Sequence, residues 1–208
     1  MAIGTYTDLV AELRDLQDNA EYSVDVINRA VRKAETYFLR KLRLSEMEVS
    51  SPLSVVGATA SLPDGCREVR SVVWLGGGVE YPLAQMSLSG LVDAYGGMAS
   101  DMPRAYAREG RTLRFAPVAS GDARIVYYAD LLPLGQDYPT NWLLTKAPDL
   151  YVAGAQYYLC RRERDDQGAQ MALVEVDSIL SALTDEAKSL AGGNLIPYAI
   201  AQVSGSRV

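Results

Sequence analysis

The chain contains no histidine. That absence removes the Ser-His-Asp triad, the Cys-His pair, imidazole acid–base chemistry and every histidine-containing metal site together. Cysteine is nearly as scarce. Cys66 and Cys160 are the two present, too far apart in sequence for a Cys-x-x-Cys redox motif or a thiolate metal site. They are expected to be reduced, buried, small apolar residues, with one long-range disulfide as the alternative. Long apolar runs are missing as well. Nowhere do eighteen or more apolar residues pass without a charge, which argues against a membrane-spanning helix. Met1-Ala2-Ile3-Gly4-Thr5 has neither the basic region nor the apolar run of a signal peptide. Cations are in deficit, with Lys and Arg totalling 20 against 26 Asp and Glu, a formal charge of −6. Phosphate affinity is built from Lys and Arg, so such a chain is a poor general binder of nucleic acid. The expectation is a soluble cytoplasmic protein with no cofactor, leaning away from catalysis.

What is present suits an ordinary folded protein. The 208 residues are 49% hydrophobic and 22% charged, enough for one or two domains with a real core. The first third reads as a helical hairpin. Thr5 and Asp8 have the spacing of a capping box, followed by Leu9, Leu13 and Leu16 at helical spacing. The polar run Gln17-Asp18-Asn19-Ala20-Glu21 interrupts the pattern. Ser23 is a candidate N-cap for a second helix, with Tyr22 and Ile27 placed as a hydrophobic staple. From there Val24, Ile27, Val31, Ala34, Phe38 and Leu42 paint one apolar stripe.

Charge is segregated along this hairpin. Asp8, Glu12, Asp15, Asp18, Glu21 and Asp25 face only Arg14 in the first segment. Arg29, Arg32, Lys33, Arg40, Lys41 and Arg43 face only Glu35 in the second. Opposite signs on neighbouring helices can attract within a subunit or between subunits. Arg29, Arg32, Lys33, Arg40 and Arg43, with Asp15 and Asp18, are therefore candidate subunit-contact residues. The alternative for residues 27–44 is a DNA-reading helix of a packaging or regulatory protein; a solvated helix face explains the same charges.

The middle third changes character near Ser50-Ser51-Pro52. Short β-branched and aromatic runs alternate with Gly and Pro, the pattern of a small antiparallel sheet. Strands are predicted over 68–75, 79–83, 104–108, 112–115 and 123–131. Gly76-Gly77-Gly78 lacks the Gly-x-x-x-x-Gly-Lys-Ser/Thr context of a phosphate loop and is expected to be a hairpin turn. Residues 86–102 are predicted to be a surface excursion with one short helix.

The last third returns to helices. Pro148 and Asp149 suit the first turn of a helix running to about Arg164. A longer helix follows Asp165-Asp166, carrying Leu173, Val176, Leu180, Leu183, Ala187 and Leu190 in a heptad-like seam, taken first as core packing and second as a subunit contact. Ala191-Gly192-Gly193 should stop it. The remaining tail is apolar, nearly uncharged and too short for a core of its own. The predicted fold class is α+β: a helical bundle from 1–50 and 139–191, an inserted antiparallel β domain at 51–138, and an extended arm at 192–208.

Several stretches carry a family likeness. They are Ile27-Asn28-Arg29-Ala30, Leu39-Arg40-Lys41-Leu42-Arg43-Leu44-Ser45-Glu46-Met47-Glu48, Leu62-Pro63-Asp64-Gly65, Glu68-Val69-Arg70-Ser71-Val72 and Leu113-Arg114-Phe115-Ala116-Pro117. The most telling is Tyr127-Tyr128 followed by Pro139-Thr140-Asn141-Trp142-Leu143-Leu144-Thr145-Lys146-Ala147-Pro148-Asp149-Leu150-Tyr151. In this order, over roughly residues 5 to 190, the chain resembles the head–tail adaptor, or connector, proteins of tailed bacteriophages; residues 86–102 and the tail after Gly192 show little of the pattern. The resemblance implies a structural, non-enzymatic protein of the virion neck, assembled in the host cytoplasm. It implies a ring, expected to be dodecameric, that sits on the portal protein and extends the DNA channel. A tail or tail-completion protein would dock on it, and double-stranded DNA would pass without specific binding. Under that reading, Leu195, Ile196, Pro197, Tyr198, Ile200 and Val203 are candidate partner-binding residues of an arm that grips the portal or a neighbouring subunit. Glu175, Asp177, Asp185 and Glu186 are candidate channel-lining residues. In the Pro139–Tyr151 segment, Thr140 or Asn141 should cap a short helix that Trp142 and Leu143 anchor in the core. An enzyme would have to work with paired carboxylates alone, and no such pair can be located from spacing.

Overall fold

The computed structural model describes residues 3–16, 22–100 and 102–192. Two helices, α1 (Tyr6–Leu16) and α2 (Val24–Lys41), lead through a 3-10 turn (Ser45–Met47) into the sheet region. There the chain forms β1 (Glu48–Val55), β2 (Thr59–Ser61), β3 (Cys66–Gly76), β4 (Val79–Pro82), β5 (Ala84–Gln85), α3 (Leu88–Tyr95), β6 (Ala105–Glu109), β7 (Thr112–Ala116) and β8 (Gly121–Ala129). It closes with α4 (Trp142–Lys146), α5 (Pro148–Glu163) and α6 (Asp166–Gly192). The fold is α+β with helices at both ends.

The capping box at α1 forms as its spacing requires. Asp8 Oδ2 accepts from the Thr5 amide at 2.9 Å, and the Asp8 amide donates to Thr5 Oγ1 at 3.3 Å. At α2 the expected serine cap is not made. Ser23 holds the N-cap position, but its side chain makes no capping bond. Its extended backbone (φ −63°, ψ 146°) turns the carbonyl into the helix, which accepts from Val26 and Ile27. Tyr22 and Ile27 are both buried, as the staple requires.

Two four-stranded sheets form, ordered β1-β8-β3-β4 and β2-β7-β6-β5. All pairings between these strands are antiparallel, as expected of the region, except β5 with β6, which is parallel. The triple glycine is the β3–β4 hairpin turn, with Gly76 paired to Val79 and φ positive at Gly77 and Gly78. Three strands outside the predicted set are present: β1, β2 and β5. β1 contains Ser50, Ser51 and Pro52, a composition that mimics a break. It is tolerated because β1 is an edge strand, where a proline need not donate to a neighbour on both sides.

Burial divides the apolar side chains between two main clusters. One lies in the sheet region, around Leu53, Val72, Trp74, Tyr106, Leu113, Phe115 and Ile125. The other lies among the helices, around Leu9, Leu13, Ile27, Phe38, Leu143, Leu150, Tyr151, Val176 and Leu180. β8 serves both. Tyr127 enters the sheet cluster while its neighbour Tyr128 enters the helical one, the consequence of side chains alternating along a strand.

α5 lies at the centre of the helical part, packed against α2, α6, α1 and α4. Gly154 permits its approach to α2, since a Cβ there would stand 2.4 Å from Phe38 Cζ and 3.1 Å from Ala34 Cβ. The α6 seam packs inward with Val176, Leu180 and Leu183 buried, extended by Ala169 and Ala172, while Leu173 and Ala187 are partly exposed. The Leu190 side chain lies outside the described set. Asn141, rather than Thr140, caps α4, accepting from the Leu144 amide at 2.8 Å. Leu143 and Leu144 are its fully buried anchors, whereas Trp142, expected in that role, is half-buried. Cys66 and Cys160 form no disulfide; Cys160 is buried and Cys66 only partly so.

Candidate assembly surfaces

A buried polar knot fixes the surfaces relative to one another. Glu35 on α2 is 5% exposed, and its Oε1 accepts from the Leu134 amide at 2.7 Å and the Tyr151 hydroxyl at 3.1 Å. Tyr151 in turn accepts from Asn141 Nδ2 at 2.7 Å, and Asn141 also donates to the Leu132 carbonyl. Arg32 stands 3.7 Å from the second Glu35 oxygen. Burial pushes the Glu35 carboxyl above its ordinary range, against the opposing pull of the Leu134, Tyr151 and Arg32 contacts. Burial, with the neighbouring Glu35 charge, raises the Tyr151 hydroxyl too. One carboxylate thus ties α2, α5 and the 130–141 connection together. Sequence reasoning missed it as a key residue, although the signal was there. Glu35 falls four residues after Val31 and three before Phe38, on the apolar stripe itself.

The candidate cations separate into two groups. Arg32 faces Glu35, and Arg43 pairs with Glu68 at 2.6 Å while donating to the Leu39 and Leu42 carbonyls. Both are engaged within the chain. Arg29, Lys33 and Arg40 are exposed and form no ion pair among the described residues. Of the acids proposed with them, Asp15 is exposed on α1, and no ion pair joins α1 to α2 among the described residues. Asp18 lies outside the described residues.

Lys33, Arg29, Val26 and Ala30 line one wall of a groove of about 130 Å³, and Tyr158, Leu159 and Arg162 of α5 line the other. The Lys33 ammonium stands 5.8 Å from the Tyr158 ring centre. Arg161 stacks on Tyr157 at 5.9 Å and donates to its hydroxyl at 3.2 Å. Burial raises the Tyr158 hydroxyl, while Arg40 and Arg161 pull it down.

The candidate channel acids are all exposed on α6. Asp177 is held below the usual carboxylate range by Lys41 at 2.7 Å and the Tyr37 hydroxyl at 2.9 Å. Asp185 pairs with Lys188, and Glu186 lies 3.5 Å from Lys146, which also binds Glu46. Glu175 has no ion-pair partner among the described residues. The arm residues Leu195, Ile196, Pro197, Tyr198, Ile200 and Val203 lie outside the described residues. Among the described residues, no His, Cys, Asp or Glu group could hold a metal ion, and no helix is long and apolar enough to cross a membrane.

A family model described as SU10 adaptor protein matches residues 4–196, and the chain belongs to that family of phage head–tail adaptors. Its role is accordingly that of a structural adaptor of a bacteriophage, placed in the virion neck. None of the curated proteins compared matches the chain.

Proposed function

We propose that the chain assembles as a homo-oligomeric ring, dodecameric in stoichiometry, beneath the portal protein. The ring extends the DNA channel and presents the attachment site for a tail or tail-completion protein. The observation that carries this reading is the adaptor-family match over nearly the whole chain. The fold supports it, because the Glu35 knot and the buried α2–α5–α6 packing give a subunit that can bear load. A ring contact is heterologous, so each subunit must offer two different faces, and the segregated charges of α1 and α2 supply a pair of opposite sign. Duplex DNA has to slide through without sticking, and phosphate contacts from Lys and Arg would retard it. Glu175, Asp177, Asp185 and Glu186 on α6 are accordingly assigned to the lumen, in keeping with the net charge of −6. The arm after Gly193 is assigned to portal gripping or to a clasp between subunits.

Negative-stain images of the purified protein, alone and mixed with the portal protein of the same phage, test the reading. The expected result is weak self-association alone and rings seated on the portal in the mixture. A tight closed dimer that ignores the portal would overturn it.

A further inference from the structure

The groove between α2 and α5 has the composition of an interface hot spot. Arg29, Lys33 and Arg40 lie at i, i+4 and i+11 on α2, one basic stripe about 16 Å long. Arg161 and Arg162 of α5 add to it. None of the five forms an ion pair among the described residues. Tyr37, Tyr157 and Tyr158 are half-buried around them, and Tyr with Arg is the pairing enriched at hot spots. On a chain of net charge −6, this concentration of unneutralised cations stands out.

α1 carries the complementary surface. Asp8, Glu12 and Asp15 lie at i, i+4 and i+7, within one face, over about 10 Å. Thr5 and the Gly4 amide occupy Asp8, which leaves Glu12 and Asp15 as the charges on offer. The two surfaces sit on opposite flanks of α2. α1 lies on the Asn28–Arg32 flank, where the Tyr6 hydroxyl bonds Asn28 Oδ1 at 2.9 Å. The groove opens on the Val26–Ala30–Lys33 flank. A chain with opposite charges on opposite flanks can pair head to tail with its own copies.

We propose that the α2–α5 groove receives the acidic face of α1 from a second copy of this chain, so that Arg29, Lys33 and Arg162 meet Glu12 and Asp15 of the neighbour. The inference rests on the ring reading above and identifies the contact that builds the ring. A polyanion such as duplex DNA fits the groove less well. The apolar part of its lining, Val26, Ala30 and Leu159, offers a phosphodiester backbone nothing. The aliphatic stem of a glutamate packs against those side chains while its carboxylate reaches the cations at the rim.

A charge exchange tests it. Arg29→Glu with Lys33→Glu makes both faces acidic, and Glu12→Lys with Asp15→Lys makes both basic. Each double variant alone should decorate portal at least tenfold less than wild type, read by negative stain and sedimentation. An equimolar mixture should restore rings, because alternating copies again present opposite charges. Circular dichroism melting of each variant should match wild type; if the α2 pair folds poorly, Arg162→Glu on the other wall replaces it. Wild-type-like rings from either variant alone, or no rescue on mixing, overturns the contact while the ring reading stands. Wild-type protein that forms no ring on portal overturns both. Loss of duplex retention in a gel shift by the α2 variant alone, with Glu12→Lys/Asp15→Lys unaffected and no rescue, makes the groove a polyanion site and overturns the proposal.

Discussion

Glu35 carries a charge at a position where the helix pattern asks for a hydrocarbon, and its surroundings account for it. The carboxylate gives the Leu134 amide and the Tyr151 hydroxyl their acceptor. Removing it strands two buried donors, so Glu35→Ala should cost about 3 kcal/mol in urea unfolding. The pH dependence has a definite sign. A carboxyl raised in the folded state binds its proton more tightly there than in the unfolded chain, so its contribution to stability grows as pH falls through the raised value toward the ordinary carboxylate range. Asp8, Glu46 and Asp177 are held low and act oppositely, their contributions fading as pH falls through their folded values. Comparing wild type with Glu35→Gln cancels those three. Wild type should gain on the variant as pH falls from neutrality toward the ordinary carboxylate range, and a difference that stays flat over that descent would show that Glu35 is not held high.

Helices were the legible elements, because an apolar stripe at three- and four-residue spacing names both the element and its buried face. The stripe from Ile27 to Leu42 and the seam from Val176 to Leu183 face inward as expected. Strands were legible where glycine turns bounded them, as at β3–β4 and β6–β7. β1 was lost because Ser50, Ser51 and Pro52 resemble a linker, and its place depends on a partner, β8, far along the chain. Tertiary pairing of that kind leaves no local trace. Gly154 is a further case, since nothing in its neighbourhood of sequence shows that Phe38 of another helix lies against it. Phe38 meets the Tyr151 ring edge-on at 5.8 Å and has little room to move. Gly154→Ala gains about 1 kcal/mol of helix propensity, but the added methyl meets Phe38 well inside contact distance. Overpacking should win, for a net loss of about 1–3 kcal/mol. Adding Phe38→Leu should recover part of it, and a stabilised single variant in thermal melts would show that α5 simply shifts away.

At the scale of the whole molecule, the adaptor role was legible only as a family pattern, because a contact between subunits is not described by any spacing within one chain. Charge segregation hinted at two faces, and the fold then separated the cations engaged internally, Arg32 and Arg43, from those left at the groove. The arm is the remaining element of the proposed assembly. Leu195, Ile196, Tyr198, Ile200 and Val203 follow the Gly192-Gly193 step and are too few to enclose a core of their own. Apolar surface left in water forgoes about 25 cal/mol per Å², so these side chains must cover either their own subunit or a partner. Pro197 disfavours a continuous helix, and the β-branched residues suit an extended strand laid in a groove or along a sheet edge. Truncation after Gly193 should leave the thermal midpoint nearly unchanged and abolish portal binding in a pull-down. A truncated protein that melts several degrees lower and still binds portal would instead make the arm part of its own subunit's packing, and the grip on the portal would have to come from the folded body.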